Sequence, residues 1–255
     1  MYKRVATAAV ISALFSGTAF AQPAKPTVVL VHGAFADSSS WDGVVEILRK
    51  DGYAVIAAAN PLRSVSGDAA YVSDIVGSID GPVVLVGHSY AGQVISTAAN
   101  GNDNVQSLVY VAAFAPDAGE AAADLAGKFP GGTLGEALAA PVTLADGDID
   151  LSIDQAKFHD QFAQDVPAEK AALMAAGQRP ITEAALTEKS GEPAWKTVPS
   201  WFIYGDADRN IPAQALDFMA ERAGSRHTVV IEGASHVVMV SQPQAVADLF
   251  EEAAQ

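Results

Sequence analysis

Residues Val83 to Gly92 read VVLVGHSYAG, four apolar residues running straight into Gly87, His88, Ser89, Tyr90, Ala91 and Gly92. Val94, Ile95, Ala98 and Ala99 then recur at helical spacing, so a buried strand, a turn of little side-chain bulk and a helix follow one another without a linker. Gly87 and Ala91 flank Ser89 at minus two and plus two, where small residues let the strand end and the helix start come close. Ser89 would then stand proud of the sheet beside the free N–H groups of a helix start, the setting in which a serine becomes a nucleophile. The pattern is G-x-S-x-G with Ala91 in the last place. By itself it describes a glycine-lined turn after a core strand equally well.

The flanking chain repeats the strand-then-helix order. Thr27 to Val31 is a continuous apolar run ending in His32, Gly33 and Ala34, as expected of a strand buried on both faces. Asp37 and Ser38 to Ser40 offer N-caps for a helix with Trp41, Val44, Val45 and Leu48 on one face, stopped by Gly52. A strand at Tyr53 to Ala58 follows, then a helix opened by Asp68 and ended by Gly81 and Pro82, and, after the Ser89 unit, a strand at Val105 to Ala112. Beyond a long interval come a strand at Trp201 to Tyr204, a helix from Pro212 to Ala223, a strand at His227 to Ile231 and a final helix with Val246, Leu249 and Phe250. Six strands alternating with helices imply a doubly wound, mainly parallel α/β sheet, with the site at the carboxyl ends of its strands. The interval from Pro116 to Pro199 has helical patches near Gln155 to Gln164 and Glu169 to Ala176 but no strand of core quality, and is expected to be a helical cap inserted over the sheet.

Composition narrows the partners. With 15 Lys and Arg against 30 Asp and Glu, the formal charge is -15, which argues against nucleic acid or anionic membrane surfaces as partners. Lys3 and Arg4 precede an apolar run from Val5 to Phe15, and Ala19, Phe20 and Ala21 form a small-x-small cleavage site. That pattern predicts a signal peptide over residues 1–21, export to the periplasm, and a single mature domain over 22–255 with the cap at about 116–199. The apolar run is too short to span a bilayer, so no membrane insertion of the mature chain is expected. The chain has no Cys, which removes disulfides and thiolate chemistry. Asp146, Asp148, Asp150 and Asp154 invite a calcium-loop reading, but Leu151 stands where the turn Gly belongs and Lys157 where the bidentate Glu belongs. No metal and no cofactor are expected, and the acidic run reads as a solvated turn.

A nucleophilic Ser89 needs a base, and the base needs an orienting carboxylate. Of five histidines, His88 is locked in the turn, His32 ends a strand, His159 lies in the cap and His227 opens a strand. His236 alone follows the last strand in a loop, Glu232-Gly233-Ala234-Ser235-His236. Asp206 and Asp208 both lie just past the strand of Trp201 to Tyr204, and either would place an acid between Ser89 and His236 in chain order.

With these motifs in place, VHGAF at Val31 to Phe35, GHSYAG at Gly87 to Gly92, GDADRNIP at Gly205 to Pro212 and GASH at Gly233 to His236, the sequence resembles the α/β-hydrolases. It is similar in particular to the esterase group that includes plant salicylate-ester esterases, hydroxynitrile lyases and many small bacterial hydrolases. The resemblance implies an α/β-hydrolase fold and a triad of Ser89, Asp208 and His236, the family's G-x-x-D falling on Gly205 and Asp208. It also implies an oxyanion hole from the backbone N–H groups of Ala34 and Tyr90. Hydroxynitrile lyases of this group carry Thr after the strand-end His and Lys after the catalytic His; here Gly33 and Val237 stand there, so the cation that would stabilise cyanide is missing. The implied activity is cofactor-independent hydrolysis of a small, largely apolar carboxylic ester through an acyl-enzyme. The same triad would serve a perhydrolase or lactonase, and the scaffold could also act as a ligand-binding protein. Phe35, Phe114 and Val237 are the candidate substrate-binding residues, with Trp41, Tyr90, Phe129 and Trp195 as further aromatics near strand ends or in the cap; Trp41 fits the core better. Arg179 is expected in a surface salt bridge.

Overall fold

The computed structural model describes residues 25–255, so the signal-peptide reading falls outside the described residues. The chain runs β1 (Thr27–Val31), α1 (Asp42–Lys50), β2 (Val55–Ala58), α2 (Val65–Gly77), β3 (Val83–His88), α3 (Ala91–Ala98) and β4 (Val105–Val111). After β4 come α4 (Ala122–Ala126), α5 (Leu134–Ala137), β5 (Val142–Thr143), β6 (Ile149–Leu151), α6 (Gln155–Phe162), α7 (Ala168–Gly177), β7 (Ile181–Thr182) and α8 (Glu183–Thr187). The chain ends with β8 (Ser200–Gly205), α9 (Ala213–Arg222), β9 (Thr228–Ile231), α10 (Val238–Ser241) and α11 (Pro243–Ala253).

Six strands form one sheet in the order β2-β1-β3-β4-β8-β9, every neighbouring pair parallel. All six residues of β3 and of β8 are buried, as the unbroken apolar runs require of central strands covered on both faces. Helices α2 and α3 pack together, and α1 packs with α10 and α11. The order steps outward from β1 in one direction and from β3 in the other, so the chain reverses winding beside the strand that leads into Ser89.

Two segments differ from expectation. Helix α2 begins at Val65, not at Asp68, because Ser64 Oγ caps Gly67 N–H and the carboxylate of Glu188 accepts the N–H groups of Val65 and Ser66. A carboxylate 122 and 123 residues away in sequence from the two N–H groups it accepts completes this helix start, which no local pattern could announce. Asp68 instead faces inward and is buried. Between β4 and β8, the helices are joined by a small antiparallel sheet, β5-β6-β7, with two or three residues per strand. The aspartates of this region have ordinary tasks: Asp146 and Asp148 accept nearby backbone N–H groups, Asp150 pairs with Arg63, and Asp154 caps α6.

Candidate active site

The turn from β3 to α3 holds Ser89 at φ 55, left-handed backbone that costs a non-glycine residue roughly 1–2 kcal/mol. The glycines around it explain how that conformation is enforced. A Cβ on Gly87 would come 2.6 Å from the carbonyl oxygen of Ala91, and one on Gly33 would come 2.6 Å from both the His88 carbonyl oxygen and Ser89 Cβ. A Cβ on Gly92 would overlap the carbonyl oxygen of Phe114. The close approach on the helix side therefore falls on Gly92, one residue later than the motif places it, which is why Ala91 is tolerated.

Strands β3, β8 and β9 bring three side chains together at their carboxyl ends. His236 Nε2 lies 2.8 Å from Ser89 Oγ, and His236 Nδ1 lies 2.6 Å from Asp208 Oδ2, with all three residues buried. Asp208 Oδ1 accepts the N–H groups of Asn210 and Ile211 at 2.7 and 3.0 Å, so the carboxylate is clamped by its own loop. Since that carboxylate only accepts, the proton between it and His236 sits on Nδ1, leaving Nε2 to accept from the Ser89 hydroxyl. Asp206, the other carboxylate of the loop, is exposed and takes the N–H of Gly233 instead. Gly205 lets the two loops meet, because a Cβ there would overlap the carbonyl oxygen of Ala234.

Two further histidines support this arrangement as neutral rings. His32 Nε2 accepts the backbone N–H of Asn60 at 3.0 Å and Nδ1 lies 2.9 Å from the Gly33 carbonyl oxygen, which fixes the Nδ1–H tautomer. Burial pushes its pKa down to about 4. His88 donates from Nε2 to the carbonyl oxygen of His236 at 3.1 Å, and burial holds its pKa well below the ordinary histidine value. The Phe162 ring of α6 sits 5.1 Å from the His236 ring and edge-on to Phe35, an apolar cover over the imidazole.

Ser89 and His236 open into a cavity of about 360 Å³, to which Ala34 and Tyr90 also contribute. Among the described residues, neither Ala34 nor Tyr90 uses its backbone N–H in a hydrogen bond, whereas the next one along, Phe35 N–H, is taken by the carbonyl of Arg179 at 3.0 Å. Beneath the turn, the Tyr90 hydroxyl donates to the buried carboxylate of Asp68 at 3.0 Å, and Arg63 N–H donates to the other oxygen. Burial raises the Asp68 pKa and, with the neighbouring Asp68 charge, raises that of the Tyr90 phenol.

Phe35, Tyr90 and Phe114 line the cavity. Val237 does not: it is fully buried, because the chain turns into α10 directly after His236 and carries the next side chain into the core. Trp41 is core, Phe129 packs on Phe218, and Trp195 donates to the Pro116 carbonyl between Arg222 and Lys196. Arg179 makes no ion pair among the described residues and acts through its carbonyl. Sequence reasoning missed most of the wall: Ala122, Ala123, Ala126 and Gly127 at α4, Gly132, Leu134, Gly135 and Leu138 around α5, and Phe162, Leu186, Asn210 and Ile211. Phe158 and Phe162 at i and i+4 on α6 were the one legible signal there.

The segment between β4 and β8 also grips the supports of the site. Thr182 donates from N–H and Oγ1 to the carbonyls of Leu62 and Arg63, and Gln161 and Gln164 donate to the carbonyls of Arg209 and Ala207 on the Asp208 loop.

Residues 28–249 match the model of the alpha/beta hydrolase family. The chain is 27% identical to alpha/beta hydrolase nvfD of Aspergillus novofumigatus, over 90% of this chain and 97% of that protein. It is 25% identical to an alpha-hydroxynitrile lyase of Arabidopsis thaliana, over 88% of this chain and 95% of that one. Among solved structures, polyneuridine aldehyde esterase superposes with a TM-score of 0.78 at 19% identity, over 91% of this chain and all of the other. The chain belongs to the alpha/beta hydrolase family. Its relatives include both a hydrolase and a lyase, so membership alone does not name the reaction.

Proposed function

We propose that the protein is a cofactor-independent serine esterase that cleaves small, largely apolar carboxylic esters. One observation carries the reading: Ser89 Oγ, His236 and Asp208 form a continuous chain of 2.8 and 2.6 Å contacts whose open end is in an apolar cavity. In the proposed reaction Ser89 Oγ attacks the ester carbonyl carbon while His236 Nε2 takes its proton, and Asp208 stabilises the resulting imidazolium. The carbonyl oxygen becomes an oxyanion, received by the N–H groups of Ala34 and Tyr90, each such donor contributing about 10²–10³ in turnover. His236 then returns the proton to the departing alcohol, and water releases the acid by the same steps from the acyl-enzyme.

Against lyase chemistry, the place after His236 holds buried Val237, and among the described residues no Lys or Arg lines the cavity to meet a departing cyanide. The test is a fluorophosphonate probe, followed by peptide mass spectrometry, together with turnover of p-nitrophenyl esters and of mandelonitrile. The expected result is one adduct on Ser89, ester hydrolysis lost in Ser89→Ala, and no cyanide release. An unlabelled Ser89, or cyanide release at a rate matching ester cleavage, would overturn the reading.

A further inference from the structure

Ser89 and His236 stand on segments that the sheet keeps apart. Ser89 follows β3 and His236 follows β9, and two strands, β4 and β8, lie between these in the sheet. Among the described residues, the main chain of the loop over 232–237 is bonded to itself, to β9 and to the Asp206 loop: Val237 N–H to Ser235 Oγ, Ala234 N–H to the Ile231 carbonyl and Gly233 N–H to Asp206 Oδ1. One further bond reaches the Ser89 turn. The carbonyl oxygen of His236 lies 3.1 Å from Nε2 of His88, the residue joined directly to Ser89.

The protonation state of that ring follows from its surroundings. A carbonyl oxygen only accepts, so Nε2 carries the proton, and Nδ1 is a bare lone pair, buried with no partner among the described residues. The His88 side chain is fully buried, with Trp41 edge-on at 6.4 Å, Phe162 edge-on at 6.3 Å and the His236 ring at 4.8 Å. A second proton, on Nδ1, would have no acceptor there. His88 is thus a neutral donor, rigidly packed, that stands one peptide from Ser89 and holds the main chain of His236. It lines no part of the cavity.

We propose that His88 is a positioning residue for the reaction: its Nε2–H bond to the His236 carbonyl sets the His236 imidazole where it can take the Ser89 proton. The proposal rests on the esterase reading. Because His88 meets the substrate nowhere, its loss should act on kcat and leave KM near the wild-type value, and a base displaced by about 1 Å can cost about a hundredfold in turnover. The test compares His88→Met with His88→Gln, side chains of equal reach of which only Gln can donate. For each, kcat on p-nitrophenyl butanoate is expressed per Ser89 titrated to completion with a fluorophosphonate, so that misfolded molecules do not count. His88→Met should lower kcat per site by about ten- to a hundredfold at little change in KM, and His88→Gln should recover most of that loss. Equal kcat per site in the two variants, or a His88→Met value within about threefold of wild type, would overturn the proposal and leave His88 as a core residue. Where either variant fails to fold, the imidazole ¹⁵N spectrum of the wild-type protein decides: His88 should be protonated on Nε2 alone, and a proton on Nδ1 instead would overturn the proposal. No ester turnover by wild type, with Ser89 unlabelled, would overturn the esterase reading and this proposal with it.

Discussion

Replacing Asp208 with Asn should silence the site without unfolding it. The two oxygens of the carboxylate have different partners: Oδ1 takes the N–H groups of Asn210 and Ile211, and Oδ2 faces His236 Nδ1. An Asn here has one oxygen to place. Turning its NH₂ toward Asn210 and Ile211 would set donor against donor twice, whereas turning it toward His236 does so once. The oxygen therefore stays on the backbone, and the NH₂ faces Nδ1, which must become the acceptor. His236 is then protonated on Nε2, where it can no longer receive the Ser89 proton. Loss of the correct tautomer, and of the charge that steadies the imidazolium, should lower kcat by about 10³ to 10⁴, or about 4 to 5.5 kcal/mol of transition-state stabilisation. Because the loop keeps both backbone bonds, the unfolding midpoint should hardly move. The assay is kcat on a p-nitrophenyl ester with thermal unfolding on the same sample, and Asp206→Asn as control, since among the described residues the exposed Asp206 carboxylate meets only Gly233 N–H. A kcat within tenfold of wild type for Asp208→Asn, or a larger loss at Asp206, would refute the assignment.

His32, with its pKa near 4 in the fold against 6.5 when unfolded, binds its proton more readily in the unfolded chain. Stability should thus fall by about 3 kcal/mol as pH drops from 6.5 to 4, and urea titrations at the two pH values should show a smaller drop in His32→Gln; equal drops would contradict the burial argument. Asp68→Ala leaves the Tyr90 hydroxyl and Arg63 N–H buried without an acceptor and should cost about 1–3 kcal/mol in urea unfolding, while Asp68→Asn, which can still meet both, should cost less than half of that. Equal costs would mean that the pocket around Asp68 is wet.

What could be read from the sequence was what short-range pattern encodes. The central strands, the Ser89 turn and the loops carrying Asp208 and His236 each lie within about ten residues, where apolar runs and glycines announce them. What could not be read depends on partners far along the chain. Glu188 starts α2, and Arg179 engages through a carbonyl that its side chain does not advertise. The cavity wall at α4 and α5 is Ala and Gly, residues whose small size is informative only once something packs opposite them. Val237 shows a different limit: its neighbour His236 faces the cavity, and the turn into α10 sends Val237 the other way.

The bonds that run from the segment between β4 and β8 into the Asp208 loop, and from Arg179 to Phe35, matter for laboratory recombination. Exchanging residues 116–199 as a block with a relative would transplant new shape but also replace the groups that hold Phe35 and the Arg209 carbonyl in place. Chimeras joined so that Gln161, Gln164 and residues 179–182 stay native, with only α4, α5 and their loops exchanged, should inherit a new wall and keep an active centre. The tolerant crossover points should then lie inside the segment between β4 and β8, not at its ends.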